Sequence, residues 1–509
     1  MSLMGLDIGT TGTKATVFDE GGAMLSSAYR EYPMLHPRPG WLELDPEQVW
    51  GRVREAVTEA AAGSGADPVG ALAISVLGEA AVPVGKDGHV LGNSILGADN
   101  RTSGMFDRWI ADQDPAAIMS ICGQPPSQMF TVVKLMWIKQ NQADLYARME
   151  RLLTFEAFAQ HKMGLEPRVD YSMAARTMAF DIHARQYSEE ICAWAEVRPD
   201  VFAPAVQTGT VVGELGRGAA DGLGLPAGCL VVAGSHDQPA GALGSGVTES
   251  GAAMDATGTV ECFAVAMDSP VVNQTMLDNN LACYPHAAEG LYVALAFNFT
   301  GGSLLRWVRD TFAQPEAAEA ARCGRDAYEL LIEGMSDEPT DLFFVPHFMM
   351  TGTPHMDGNP VGAAIGLNLA TTRPQFLRAV LEGIAYEMKL NVDILLSAGV
   401  EVDEFRAIGG GAKSDFWLQL KADMYERPIV RLEVAEAASL GMAIAAGLGA
   451  GIYHSAAEAA ADLIAPKDVF KPDAGRAAYY NEKLAQYREL YPALKAWQRK
   501  VGFRRQAPQ

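Results

Sequence analysis

The chain has 509 residues with 40 Lys+Arg against 62 Asp+Glu, a formal net charge of −22. Polyanion partners need clustered cations, so this balance argues against nucleic acid and against an anionic bilayer surface. With 49% of residues hydrophobic and 20% charged, disorder is excluded, and at roughly 100–200 residues per domain the length predicts two to four domains.

The opening MGLDIGTTGTKATVFDEGG reads as a hairpin, with strands Met4–Ile8 and Lys14–Asp19 joined by a Gly/Thr turn and ended at Gly21-Gly22. It carries no basic, then apolar, leader, and no window of the chain approaches the roughly 18 apolar residues of a membrane span, so a soluble, cytoplasmic protein is expected. Asp45-Pro46-Glu47 supplies an N-cap, a proline at N1 and an acidic first turn for a helix running to Ala62. A buried strand over Val69–Val76 and helices over Ala117–Ile121, Val132–Asn141 and Tyr187–Ala195 follow. Six scattered cysteines (Cys122, Cys192, Cys229, Cys262, Cys283, Cys323), without CxxC or a histidine at ligand spacing, read as reduced thiols.

From Leu230 a β-branched strand passes through Gly234-Ser235-His236-Asp237 into a small-residue helix. Gly251–Met267 then looks like a second Gly/Thr hairpin. Asp7 and Asp255 each precede such a turn, a pattern that, if it is a true repeat, means a duplicated domain. The predicted boundary falls near 245–250. Later elements are a strand at Asp341–Pro346, a Gly/Pro-rich loop at Thr351–Gly362, a helix at Arg373–Ala398, a strand at Glu404–Ile408, a helix at Asp415–Tyr425, and an Ala/Gly-rich helix at Ala435–Ala450. A short basic stretch, Arg499 to Arg505, ends the chain.

Three turns can carry chemistry. In Asp7-Ile8-Gly9-Thr10-Thr11-Gly12-Thr13-Lys14, glycines permit close backbone approach, threonines and N–H groups can face phosphate oxygens, and Asp7 can hold a divalent cation through water. An ordinary hairpin turn is the alternative, and the spacing is not that of a P-loop. Gly409-Gly410-Gly411, between a strand and a helix, can seat a nucleotide at the helix N-terminus or be a plain flexible turn; Ser414 breaks the dinucleotide fingerprint. Asp237, at a strand-to-helix turn, suits either a general base or a helix N-cap.

Together these turns match a known pattern. The sequence resembles the FGGY family of carbohydrate kinases, within the actin-like, hexokinase-like and Hsp70-like ATPases, over Met4 to about Gly451. The resemblance rests on LDIGTTGTK, GWLELDPEQVW (Gly40–Trp50), ILGADNRT (Ile95–Thr102), GSHDQPAGALGSG (Gly234–Gly246), DATGTVECF (Asp255–Phe263), TPHMDGNPVGAAIGL (Thr353–Leu367), RAVLEGIAYEM (Arg378–Met388) and GGGAKSDFWLQLKADMYERPI (Gly409–Ile429), in the family's order. It implies an α/β protein of two ribonuclease-H-like domains, residues 1–247 mainly for sugar and 248–509 mainly for nucleotide, with the active site in the cleft between them. It further implies ATP and Mg²⁺ as cofactors and a sugar or polyol as substrate. Asp237 would be the catalytic base. Asp7 and Asp237 would face the Mg²⁺, Thr10, Thr11, Gly258 and Thr259 the phosphates, and Gly410 and Gly411 the adenosine. Gly78, Glu79, Asp99, Arg101 and Gln238 would contact the sugar.

Departures bear on the substrate. Xylulose kinases usually carry Met-His where this chain has Gly78-Glu79, and glycerol kinases Arg-Glu, so a cationic neighbour is expected to be missing. A carboxylate that accepts from two hydroxyls favours a neutral ketose or polyol over an acid sugar. Trp41, Phe130, Phe299 and Trp307 are given to core packing rather than sugar stacking, and Phe297–Gly302 is a further cleft-loop candidate. The rival readings are a catalytically silent sugar-binding relative and an actin- or chaperone-like ATPase. The sugar itself, the oligomeric state, a homodimer included, and the choice of nucleotide are left open.

Overall fold

The computed structural model describes residues 1–65, 67–434 and 436–503. Arg504 and Arg505 of the basic end, and Ala435 of the last predicted helix, lie outside the described residues. The first sheet holds β1 (Ser2–Ile8), β2 (Gly12–Phe18), β3 (Met24–Glu31), β4 (Val69–Val76), β5 (Val211–Glu214) and β6 (Leu230–His236), in the order β5-β6-β4-β1-β2-β3. β1, β4 and β6 run parallel, while β2, β3 and β5 are antiparallel to their neighbours. The centre is buried on both faces, which is why β4 and β6 are apolar runs rather than alternating strands.

The second sheet holds β7 (Ala252–Thr257), β8 (Glu261–Met267), β9 (Ala282–Pro285), β10 (Tyr292–Asn298), β11 (Glu404–Ile408), β12 (Ile429–Leu432) and β13 (Pro466–Phe470), ordered β9-β10-β8-β7-β11-β12-β13. The run β10-β8-β7-β11-β12 repeats β3-β2-β1-β4-β6 in both order and strand sense. The faint Asp7/Asp255 repeat is thus a duplicated ribonuclease-H-like topology.

Helices cover the sheets. In α1 (Pro46–Gly63), the Asp45 carboxylate accepts from Glu47 N at 3.0 Å and Gln48 N at 3.3 Å, the cap its sequence predicts. The other helices used below are α2 (Asp237–Gly244), α3 (Arg373–Ser397), α4 (Asp415–Tyr425) and α5 (Ala437–Gly449). Although α5 lies late in the chain, it packs on β1, β4 and β6 of the first sheet and against α2. Leu440, Met442 and Ile444 there join Leu3, Ala71 and Val232 in one core. The approach is close enough to require glycine: a Cβ on Gly244 would lie 1.7 Å from Ala437 O, and one on Gly441 2.1 Å from Ala240 O. Lys14 on β2 adds a 2.8 Å ion pair to Glu436, just before α5.

Most predicted elements stand within two residues of expectation. The helix predicted from Tyr187 instead spans Glu189–Trp194, because Ser188 caps it and Tyr187 pairs with Phe180 in a short two-stranded ladder. The strand predicted at 341–346 is shorter, Phe343–Val345. Among the described residues no helix is long and apolar enough to cross a membrane.

Candidate active site

In an open α/β sheet, ligands bind beyond the carboxyl ends of the parallel strands. Here those ends are Asp7 on β1, Ser75 and the following Gly78-Glu79 after β4, and His236-Asp237 at the junction of β6 and α2. The register aligns them, with Asp7 opposite Ser75 and Ser75 opposite Ser235. Beyond them lies a cavity of about 750 Å³ whose wall includes Thr10, Gly78, Glu79, Arg176, Asp237 and Gln238 from the first half. The second half completes it with Val260, Cys262, Asn280, Phe297 and Phe299.

Asp7 accepts a 2.9 Å hydrogen bond from Ser75 Oγ at its Oδ1, and burial pushes its pKa up to about 6. Asp237 is half-buried, and its enclosed Oδ1 receives no well-aligned hydrogen bond. Burial, followed by the Asp7 and Glu79 charges, pushes its pKa up to about 7, against the pull of Gln238 and Arg176. His236 lies beside it, with Nε2 3.1 Å from Asp237 Oδ1 and Nδ1 3.0 Å from the Tyr284 hydroxyl. Burial and the Arg176 charge hold this imidazole well below its usual pKa, so it stays neutral.

Glu79 lines the first-half wall of the cavity. Its backbone takes φ of 60°, a left-handed conformation that a residue with a side chain rarely adopts. Two donors hold its carbonyl there, Thr131 Oγ1 at 2.9 Å and Lys134 Nζ at 2.8 Å. Lys134 is enclosed, and burial draws its pKa down to about 7. The Glu79 carboxylate accepts from Arg176 Nε at 2.6 Å and from Arg176 Nη2, while Arg176 Nη1 donates to Gln124 Oε1 at 3.1 Å. This corrects the expectation of a missing cation: the partner exists, but it comes from 97 residues downstream. Gly78 follows from the same crowding, since a Cβ there would sit 2.8 Å from His236 Nε2.

Asp99 and Arg101 are not on the cavity wall. Arg101 binds Asp99 through Nε at 2.9 Å and Nη2 at 2.7 Å, reaches Glu43 at 2.8 Å, and lies 3.8 Å above the Trp41 ring. That saturated cluster fixes the loop behind the sugar wall. Phe130 and Phe299 do line the cavity, whereas Trp41 is held by Arg101 and Trp307 packs on Phe312 and Phe348.

The two Gly/Thr turns stand at the tips of the two hairpins. Thr10 and Thr11 are exposed, and their turn is clamped by the Tyr32 hydroxyl, which donates to Gly9 O at 2.5 Å and Gly12 O at 3.0 Å. Gly258 and Thr259 are exposed in the second turn. Gly410 is exposed and Gly411 is buried on Thr257, where a Cβ would come within 2.6 Å of the Thr257 side chain. The repeat is asymmetric at its carboxylates. Asp7 is half-buried and bonded to Ser75, close to the cavity though not on its wall, while Asp255 is sealed with Glu261 around Lys421 Nζ at 2.7 and 2.8 Å, with Thr257 Oγ1 at 2.6 Å. Those carboxylates keep Lys421 charged against the burial that opposes it.

Sequence reasoning missed Arg176, Lys134 and Lys421. The available signal was a lone cation inside an otherwise apolar stretch, such as Arg176 in SMAARTMAF, since unpaired buried cations are rare.

Comparison with known proteins agrees with this geometry. Residues 2–244 match the N-terminal domain, and residues 253–450 the C-terminal domain, of the FGGY family of carbohydrate kinases. The xylulose kinase of Bacillus subtilis (strain 168) is 27% identical over 96% of both chains. The glycerol kinase of Haloarcula marismortui is 30% identical over 93% of this chain and 94% of its own. The crystal structure of the ligand-bound xylulose kinase from Lactobacillus acidophilus shares the fold, with a TM-score of 0.89, 22% identity and coverage of 98% and 99%. Two adjoining domain matches and near end-to-end similarity to such kinases give the lineage: the chain belongs to the FGGY family of carbohydrate kinases and is an ATP-dependent sugar kinase.

Proposed function

We propose that the chain transfers the γ-phosphate of ATP to a hydroxyl of a neutral ketose or polyol, with Asp237 as general base. The observation that carries this reading is the enclosed Asp237 Oδ1, without a well-aligned hydrogen bond, at a cavity walled by both halves, on a carboxylate whose pKa is raised to about 7. A base in that range accepts a hydroxyl proton at neutral pH. As the proton passes to Asp237, the substrate oxygen bonds to the γ-phosphorus and the bond to the departing ADP oxygen breaks.

The remaining roles follow from position. Gln238 and Glu79 orient the sugar. Thr10, Thr11, Gly258 and Thr259 face the phosphates from the two hairpin tips, and Gly410 and Gly411 back the adenosine. Two carboxylates that each hold a raised pKa, one with an oxygen that receives no well-aligned hydrogen bond, suit a divalent cation, so Asp7 and Asp237 are the residues that would hold Mg²⁺. Bound there, Mg²⁺ would disperse charge on the transferring phosphoryl group. Residues 1–247 thus serve mainly the sugar and 248–509 mainly the nucleotide, and their closure would keep water from the γ-phosphate.

The neutral class is favoured because Glu79 and Arg176 neutralise each other, leaving the negative charges of Asp107 and Asp237 on the wall. Relatives named xylulose kinase and glycerol kinase, for a ketose and a polyol, point the same way. The test is coupled ADP release with Mg-ATP against pentuloses, hexuloses, aldoses, polyols and aldonates. A strong response to one neutral ketose or polyol is expected. An aldonate as best substrate would overturn the neutral class, and ATP turnover independent of any polyhydroxy compound would overturn the kinase reading.

A further inference from the structure

Away from the carboxylates of the cleft, His347, His355 and Glu387 bring three ligand atoms within 4.8 Å of one another. His347 follows the short strand Phe343–Val345, His355 lies in the loop beyond it, and Glu387 projects from the buried side of α3. His347 is 1% exposed, yet neither of its ring nitrogens has a hydrogen-bond partner, and His355 Nε2 has none either. Enclosed polar atoms are nearly always satisfied, and each neutral imidazole offers one lone pair, so two such rings facing one carboxylate leave room for an electropositive occupant.

We propose that His347, His355 and Glu387 form a three-ligand site for a divalent transition metal of the zinc class, with a fourth position open to the adjoining cavity. Ligand bonds of about 2.0–2.2 Å place tetrahedral donors roughly 3.4 Å apart. The His347 Nε2 to Glu387 Oε1 edge is already 3.4 Å, so the remaining closure falls to His355 on its loop. Outer contacts of the kind that orient ligands are in place: the Tyr487 hydroxyl donates to Glu387 Oε1 at 2.7 Å, and Tyr491 stacks on the His355 ring at 3.8 Å. A cavity of about 500 Å³ lined by His355, Glu387, Tyr487 and Tyr491 provides entry and room for a water ligand. Two imidazoles with one carboxylate suit zinc rather than the all-oxygen preference of magnesium.

The loop from His347 onward also carries Met350, Met356 and Gly358 to the wall of the large cavity. A metal at this site would tie that wall to α3.

The experiment equilibrates the chelator-stripped full chain with Zn²⁺ alone, removes unbound ion and counts metal by mass spectrometry. One zinc per chain is expected, with loss of that zinc in His355→Gln and Glu387→Gln variants that keep the wild-type circular dichroism. No zinc in the wild type, or one zinc retained in either folded variant, overturns the site. Should the variants not fold, the visible spectrum of Co²⁺ loaded into the wild-type chain decides: intense d–d bands of a four-coordinate ion are expected, and the weak spectrum of an octahedral, hydrated ion overturns the proposal.

Discussion

Asp237 on the cavity wall and Asp7 near it are carboxylates whose pKa values the fold raises, and that has two consequences at the scale of single residues. In an Asp237→Asn variant the proton acceptor is gone, so kcat should fall by about 10²–10⁴-fold while Mg-ATP still binds. Its melting temperature at neutral pH should equal or exceed that of the wild type, because the substitution removes a charge that Asp7 opposes. The sign follows from linkage. A carboxylate whose folded pKa is raised from 3.8 to about 7 contributes stability below its unfolded value and loses it as pH rises through the folded one. A melting series of both proteins across that window, together with steady-state kinetics, checks both claims; near-normal turnover would remove Asp237 from the base role. The second consequence concerns rate: kcat/KM for the sugar should decline below pH about 7, approaching tenfold per unit, with the midpoint moving down at saturating Mg²⁺ because a nearby cation favours the charged carboxylate. A profile flat to pH 5 would contradict the assignment. Asp237 and Asp7 were legible in the sequence because each ends a strand at a Gly-bearing turn. Arg176 and the His347/His355/Glu387 cluster were not, since their partners lie tens of residues away and only the folded chain brings them together.

At the scale of elements, the cavity wall proposed to position the sugar is built on a buried ion pair between two loops. Arg176 and Glu79 are about 7% and 8% exposed at their side chains, so removing one partner strands the other's charge. Arg176→Met should therefore cost about 3–5 kcal/mol of stability, whereas the double variant Glu79→Gln/Arg176→Met should recover most of it. The sugar KM should remain raised in both. Urea unfolding and kinetics on the three proteins separate the effects; an unchanged midpoint in Arg176→Met would mean that water reaches the pair. Secondary structure here was largely legible from caps and turns, as at Asp45-Pro46 and in the hairpin at Gly9–Gly12. The miss at Tyr187 has a physical cause: its ring packs 5.7 Å from Phe180 and 4.8 Å from Phe202, and this tertiary packing overrides local helix propensity. Asp99 and Arg101 were read in the sequence as sugar contacts, but their charges are spent on each other and on Glu43, away from the cavity wall.

At the scale of the whole molecule, two copies of one topology have been turned to different ends. Lys421 plugs the carboxylate of the second copy, so only the first presents an acid to the cleft. The duplication was faintly legible in the paired Gly/Thr turns, but nothing in the sequence said that α5 would cross to the first sheet. Where α5 meets α2, backbone lies directly on backbone at Gly244 and Gly441, with Leu243 and Leu440 packed in the same core. Interdigitated side chains lock two helices at one angle. At the two glycines those side-chain ridges are absent, so this is where one lobe is expected to pivot on the other. Adding a single methyl should jam it: in Gly441→Ala the new Cβ would meet Ala240 O at 2.1 Å, forcing the axles apart. Turnover should then drop by about 10²-fold, with kcat and KM changing together although the residue touches no substrate. Wild-type kinetics in that variant would place the swivel elsewhere, whereas the expected loss would make this narrow backbone contact the mechanical axis of the enzyme.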